Sequence, residues 1–206
     1  MITDRDTALL GRTPGLPDDV FEHDGLITKR HVRATALAHL RPLPGQLLWD
    51  VGTGAASIAI EWCRAAEGAR AIGLERDAGR AARARRNIAR LTEDAVEVVE
   101  GPATASLAGL PRPDAVFVGG GLSMPVLEQA MAVLPTGGRI VVHGVTLEAE
   151  LLCAAARERW GGQLSRVQVE VAEPLATLTG WTPARTVIQW HLVVAAADVS
   201  SGEDER

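Results

Sequence analysis

The chain has 206 residues, 47% of them hydrophobic, two cysteines and a formal net charge of -5. This size and apolar content suit one α/β domain whose core needs neither disulfides nor a metal, and the acidic balance argues against general affinity for nucleic acid or anionic lipid. The N-terminus, "MITDRDTALLGRTPGLPDD", is too polar for a signal peptide; no apolar run reaches the roughly 20 residues of a spanning helix, so a cytoplasmic protein without membrane association is expected.

In chain order, residues 1–25 are rich in Pro, Gly and Asp and read as an N-terminal arm. The arm looks as if it begins mid-protein, so the chain is expected to be a fragment of a longer polypeptide. The segment "ITKRHVRATALAHLRPL" follows, with Val32, Ala36, Leu37 and Leu40 at helical spacing. It predicts a helix starting near Thr28 or Lys29, with Thr28 as N-cap. From Gly45 onward, β-like runs alternate with amphipathic segments. Strands are expected at 46–51, 70–75, 96–100, 115–119 and 138–143, and helices at 55–66, 77–91, 103–109, 123–134 and 147–160, the pattern of a parallel sheet with helices on both faces. Two later runs, 163–171 and 185–195, are separated only by an irregular "AEPLATLTGWTP". Without a crossover helix they are expected to be antiparallel neighbours. Five parallel strands followed by an antiparallel hairpin is the Rossmann-like sheet of class I methyltransferases. The domain is then 26–196, and "SSGEDER" belongs to a disordered tail, 197–206. Cys63 and Cys153 lie in apolar helical patterns and read as reduced core residues, with no metal-ligand spacing.

The glycine loop in "LLWDVGTGAASIAIEW" decides between ligands. Gly52 and Gly54 permit a tight turn and close backbone approach, and Thr53, Ala55 and Ala56 complete the loop. A dinucleotide fingerprint wants a third glycine where this chain has Ser57. Glu75, at the end of the next strand, lies at the distance where a carboxylate accepts from both ribose hydroxyls, which fits NAD and S-adenosylmethionine alike. Asp50 would repel a pyrophosphate but favour the ammonium of a methionine moiety. S-adenosylmethionine is therefore preferred over NAD; a nicotinamide oxidoreductase, a non-catalytic S-adenosylmethionine-binding module and a glycine turn kept for packing alone are the alternatives. After the third strand, Gly101, Pro102 and Ala103 replace the acid that many class members place near adenine. Adenine recognition by their backbone, with apolar stacking, and a plain turn remain equal readings.

These residues together resemble a family. "DDVFEHDGLITKRHVRA", the glycine loop, "DAVFVGGG", "LPTGGRIVVHGVTLE" and the terminal strand pair are similar to the decarboxylating precorrin methyltransferases of cobalamin (vitamin B12) biosynthesis, over roughly Pro17 to Val194. The resemblance implies a precorrin substrate, methylation of carbon 15 with S-adenosyl-L-homocysteine as product, and decarboxylation of the ring C (C12) acetate. It also implies a homotetramer and, in the aerobic pathway, fusion to an N-terminal C5-methyltransferase domain. Cofactor contacts would fall on Thr28, Gly52 to Ala56, Glu75 and Ala103. His143 stands where the family more often has asparagine. No catalytic residue is singled out, because the macrocycle can supply both the nucleophilic carbon and the electron sink.

Carboxylates on the rim of such a substrate call for cations. Lys29 and Arg33 share a helix face and are preferred as substrate ligands, whereas Arg30 is read as solvated. His143, at a strand's carboxyl end, is a substrate-facing candidate. The basic "GRAARARRNIAR" (79–90) reads as a solvated or subunit-facing helix, and His23, His31 and His39 as surface or helix residues. "GGGLSMP" (119–125) admits a large flat ligand or a flexible turn, and Trp181 covers substrate or meets another subunit.

Overall fold

The computed structural model describes residues 10–92 and 95–196; the expected tail at 197–206 and the first nine residues of the arm lie outside them. Five strands run parallel: β1 (Leu47–Val51), β2 (Arg70–Glu75), β3 (Val96–Glu100), β4 (Ala115–Val118) and β5 (Arg139–Gly144). β6 (Gln163–Val167) and β9 (Val187–Val193) complete the sheet, in the order β3-β2-β1-β4-β5-β9-β6. β9 is antiparallel to both its neighbours. This is the class I methyltransferase topology expected from the alternating pattern.

The helices are α1 (Arg30–Leu40), α2 (Ser57–Ala65), α3 (Ala78–Leu91), the short α4 (Ala103–Ser106), α5 (Met124–Val133) and α6 (Leu147–Trp160). Strand alternation divides the core into two layers. Leu48, Ala71, Phe117 and Val141 pack under α1 to α3; Trp49, Leu74, Val118, Val142 and Trp190 pack under α5 and α6. Cys153 is buried and Cys63 half-buried, both unbridged.

Three expectations need correction. The connection between β6 and β9 is not irregular: β7 (Glu170–Leu175) and β8 (Leu178–Pro183) pair antiparallel as a separate ribbon closed at Leu175 and Leu178, so the predicted 163–171 strand breaks after Val167. Thr28 does not cap α1; Lys29 holds the N-cap position without a side-chain bond. Nor is the described part of the arm a free extension. Leu16, Val20 and Phe21 are buried in the α1–α3 layer, and the basic helix α3 zips onto it: Arg80 and Arg83 pair with Asp24, and Arg86 with Glu22.

Candidate active site

At the carboxyl edge of the sheet, β1 lies between β2 and β4, where the direction of strand addition reverses. That is the switch point over which ligands bind in open α/β sheets. The loops after β1 and β4 touch there: a Cβ on Gly52, whose φ is +73, would lie 2.5 Å from Gly120 Cα. A side chain at Gly52 would therefore push the two loops apart. Gly54, by contrast, meets no heavy atom closer than 3.8 Å and leaves a bare backbone edge. Beside these loops opens a cleft of about 1300 Å³.

One half of the cleft is lined by Gly52, Thr53, Gly54, Ala55, Glu75, Gly101, Pro102 and Ala103. The Glu75 carboxylate is buried and fixed: Gly54 N–H donates to Oε2 at 3.0 Å and Asp77 N–H to Oε1 at 3.0 Å. Each oxygen keeps a further lone pair for a vicinal diol. The bare Gly54 edge and the apolar Ala103 and Leu74 belong to the same lining and offer apolar surface to a flat ring. These residues fit an adenosyl group.

The wider half is lined by residues 26–30, Thr28 and Lys29 among them, and by Val167, Val169, Val171 and Arg185 in and around the base of the β7–β8 ribbon. His143 joins the lining. Its Nε2 donates to Gln189 Oε1 at 2.9 Å, while Nδ1 is buried and has no partner among the described residues. Burial pushes its pKa from 6.5 down to about 4, so the imidazole is neutral.

Several expected site residues lie elsewhere. Asp50 is 1% exposed and does not line the cleft. Its side chain points under α2, where Oδ2 accepts from Thr53 Oγ1 at 2.6 Å and from Ala59 N–H at 3.3 Å. Ala56, at the N-cap of α2, carries no acceptor, so this strand carboxylate satisfies one of the helix's open amides instead. Asp50 thus shapes the loop rather than meeting an ammonium. Ala56 itself is wholly buried, with φ 60, and forms the turn rather than the cleft wall.

Arg33 is corrected more sharply. It is 0% exposed, with Nε on Glu61 at 2.5 Å, Nη1 on Asp18 at 3.0 Å and on the Thr28 carbonyl, and Nη2 on the Leu16 carbonyl at 2.5 Å. Glu61 also accepts from Gly15 and Leu16 N–H. With its donors bound inside the protein, Arg33 cannot serve a substrate. Glu61 was the legible clue, an acid within the apolar "IAIEWC" that had to find a cation. Arg30, read from sequence as solvated, is exposed and also lines the cleft, as does Arg185, which sequence reasoning missed because it follows a stretch read as irregular.

The Asp50 carboxyl is raised from 3.8 to about 6, chiefly by burial. The native state therefore keeps a proton that the unfolded chain releases across that window, and stability falls as pH rises through it. Asp50→Asn retains an acceptor oxygen without the charge, so its melting temperature, relative to wild type, is expected to rise from pH 3.8 to about 6 and then level off. A difference that stays constant with pH, followed by calorimetry, rules this out. His143 acts in the opposite sense in both proteins and cancels in the difference.

The sheet order, the glycine loop and the acid at the end of β2 define a class I methyltransferase fold. The match to a family model narrows this: residues 19–194 fit the precorrin methyltransferase domain, and the chain belongs to that family. A Sinorhizobium precorrin-6Y C(5,15)-methyltransferase [decarboxylating] is 46% identical over 188 residues, covering 91% of this chain but 46% of that protein. The chain thus spans about half the length of that curated relative. A probable cobalt-precorrin-6B C(15)-methyltransferase (decarboxylating) from Pyrobaculum aerophilum is 36% identical over 90% of this chain and 97% of its own. The crystal structure of the C-terminal domain of precorrin-6Y C5,15-methyltransferase from Rhodobacter capsulatus superposes with a TM-score of 0.83 at 43% identity, covering 88% of this chain and 98% of that one. Among the described residues, no helix is long and apolar enough to cross a membrane and no cluster of potential ligands could hold a metal ion.

Proposed function

We propose that the chain binds S-adenosylmethionine and methylates carbon 15 of a precorrin, with loss of carbon dioxide from the ring C acetate, in cobalamin biosynthesis. One observation carries this reading: a fixed carboxylate beside a bare glycine edge opens directly into a wide cleft, within a family whose relatives bear these names. The cofactor supplies an electrophilic methyl on a sulfonium. Glu75 holds the ribose, and the backbone of Gly52 to Ala55 and of Gly101 to Ala103 cradles the rest. Positioning two reactants in this way supplies roughly 7–11 kcal/mol of barrier reduction without a general base. Thr28 and Lys29 border the substrate half, and the neutral His143 presents an uncharged, mostly buried ring to the cleft. Lys29 lies 3.9 Å from Asp18 and is largely exposed, so it can turn to a substrate carboxylate at little cost.

The reaction is tested by incubation with labelled S-adenosylmethionine and a precorrin-6-type tetrapyrrole, read by mass spectrometry. One added methyl and one lost carbon dioxide are expected. Binding of NADH without a response to S-adenosylhomocysteine overturns the reading in favour of the nicotinamide alternative.

A homotetramer in the cytoplasm is proposed as the working form, fused in the whole protein to an N-terminal C5-methyltransferase domain. The greater length of the Sinorhizobium relative supports the fusion. Self-association is supported by the β7–β8 ribbon and the start of α6, where Leu147, Leu151, Leu175, Leu178 and Trp181 are each at least 65% exposed. Exposed apolar side chains of this size call for a cover. Trp181→Glu is expected to lower the mass measured by light scattering from a tetramer to a smaller species; a monomeric wild type overturns the assembly.

A further inference from the structure

The wide half of the cleft has apolar walls and a cationic rim. Val167, Val169, Val171 and Val187 come from the base of the ribbon, and Leu26 and Ile27 from the segment before α1. Five long cationic side chains reach this lining: Lys29, Arg30, Arg76, Arg80 and Arg185. They are not equally available. Arg80 donates to Asp24 at 3.0 Å, and Lys29 has Asp18 within 3.9 Å. Arg76 directly follows Glu75 and so belongs to the adenosyl end. Arg30 and Arg185 are left, both exposed and neither paired with a carboxylate among the described residues. They come from different elements, the start of α1 and the strand connection after Pro183.

Two unpaired guanidinium groups in the same lining as these apolar side chains suit a large flat ligand that carries carboxylates on its rim. Guanidinium presents a planar donor fork to a carboxylate, and the interaction strengthens once the ligand covers it from water. Glu173, an acid in the same lining, would repel a carboxylate on its own side and so favours one orientation of the ring. We propose that Arg185 is a specificity-determining residue that pairs with a peripheral carboxylate of the substrate, leaving Arg30 for another. This rests on the reading of the cleft as a tetrapyrrole site. It gives the β7–β8 ribbon a second task, since its return strand delivers Arg185 to the cleft mouth.

The test compares wild type with Arg185→Gln and Arg185→Lys in steady-state turnover of a precorrin-6-type tetrapyrrole, alongside calorimetric titration with S-adenosylhomocysteine and mass by light scattering. For Arg185→Gln, KM for the tetrapyrrole is expected to rise about tenfold or more, with kcat nearly unchanged, as loss of a charge-assisted bond implies. Affinity for S-adenosylhomocysteine and the assembly mass stay as in wild type, and Arg185→Lys recovers part of the loss. Competition by the fully methyl-esterified tetrapyrrole provides the substrate-side control: its inhibition constant should be the same for wild type and Arg185→Gln. An unchanged KM, or a loss that extends equally to the ester, overturns the role of Arg185. If wild type binds S-adenosylhomocysteine but neither binds nor turns over the tetrapyrrole, the functional reading fails instead.

Discussion

Replacing Arg33 with alanine is expected to destabilise the protein by about 3–5 kcal/mol, the cost of removing one partner from a buried ion pair. For a domain of this size that lowers the melting temperature by on the order of 10 °C. The reason is local. Without the guanidinium, Glu61 remains as a buried carboxylate answered only by the Gly15 and Leu16 amides, and the carbonyls of Leu16 and Thr28 lose their donor. The damage extends to the cleft, because Thr28 borders its substrate half and is tied to the fold through its carbonyl. Arg33→Ala should therefore also raise KM for the tetrapyrrole. A second variant separates charge from hydrogen bonding. The paired change Arg33→Met with Glu61→Leu removes both ions but leaves the Gly15 and Leu16 amides and the Leu16 and Thr28 carbonyls without these partners. It is expected to recover only the part of the loss that the unpaired Glu61 charge causes. Thermal unfolding of the two variants decides the matter. An Arg33→Ala protein that melts with wild type would mean that the guanidinium contributes nothing to the core.

Glu75→Ala is expected to weaken S-adenosylhomocysteine binding by about 1.5–3 kcal/mol, the worth of hydrogen bonds to a charged group. Two effects add. The ribose acceptor disappears, and the Gly54 and Asp77 amides lose the carboxylate that fixes the loop. Glu75→Gln keeps one acceptor oxygen but not the charge, and should fall between wild type and alanine. Calorimetric titration of the three proteins gives the order; equal affinities would mean that the ribose is held elsewhere. The same site explains why the glycine at 52 is more demanding than that at 54. The first is required by another stretch of backbone, whatever the ligand, whereas at the second, with φ +57, a Cβ would meet only ordinary contacts, the nearest being the Leu26 carbonyl oxygen at 3.8 Å.

Much of the architecture could be read from periodicity. The five parallel strands fall within a residue of their expected limits, and the antiparallel partners β6 and β9 are adjacent as the missing crossover implied. The ribbon between them was illegible for a physical reason. Pro174 and Pro183 lie inside its strands, and proline normally argues against a strand. In a two-stranded ribbon every strand is an edge, so the lost donor can face away from the partner. Its two-residue turn also lacks the usual glycine or asparagine, placing Ala176 at φ 53 instead.

The line between sequence and structure is clearest among the charged residues. By itself the sequence determined the sheet, the glycine loop and the position of Glu75, because these depend on local periods and on the short reach of one βα unit. It could not distinguish a cation that faces substrate from one that holds the core together. Lys29, Arg30 and Arg33 stand within five residues, yet the first two border the cleft and the third is sealed beneath it. That outcome depends on Glu61, on the next helix, and on Asp18, in the arm, which the fold brings to the same buried point. Asp50 parts from Glu75 in the same way: both are buried acids at the ends of neighbouring strands, but one turns under a helix lacking its own cap and the other toward the open cleft. Only the tertiary structure decides which charges are answered internally, since a charge's partner is set by proximity in space, and proximity here is made by residues tens of positions apart.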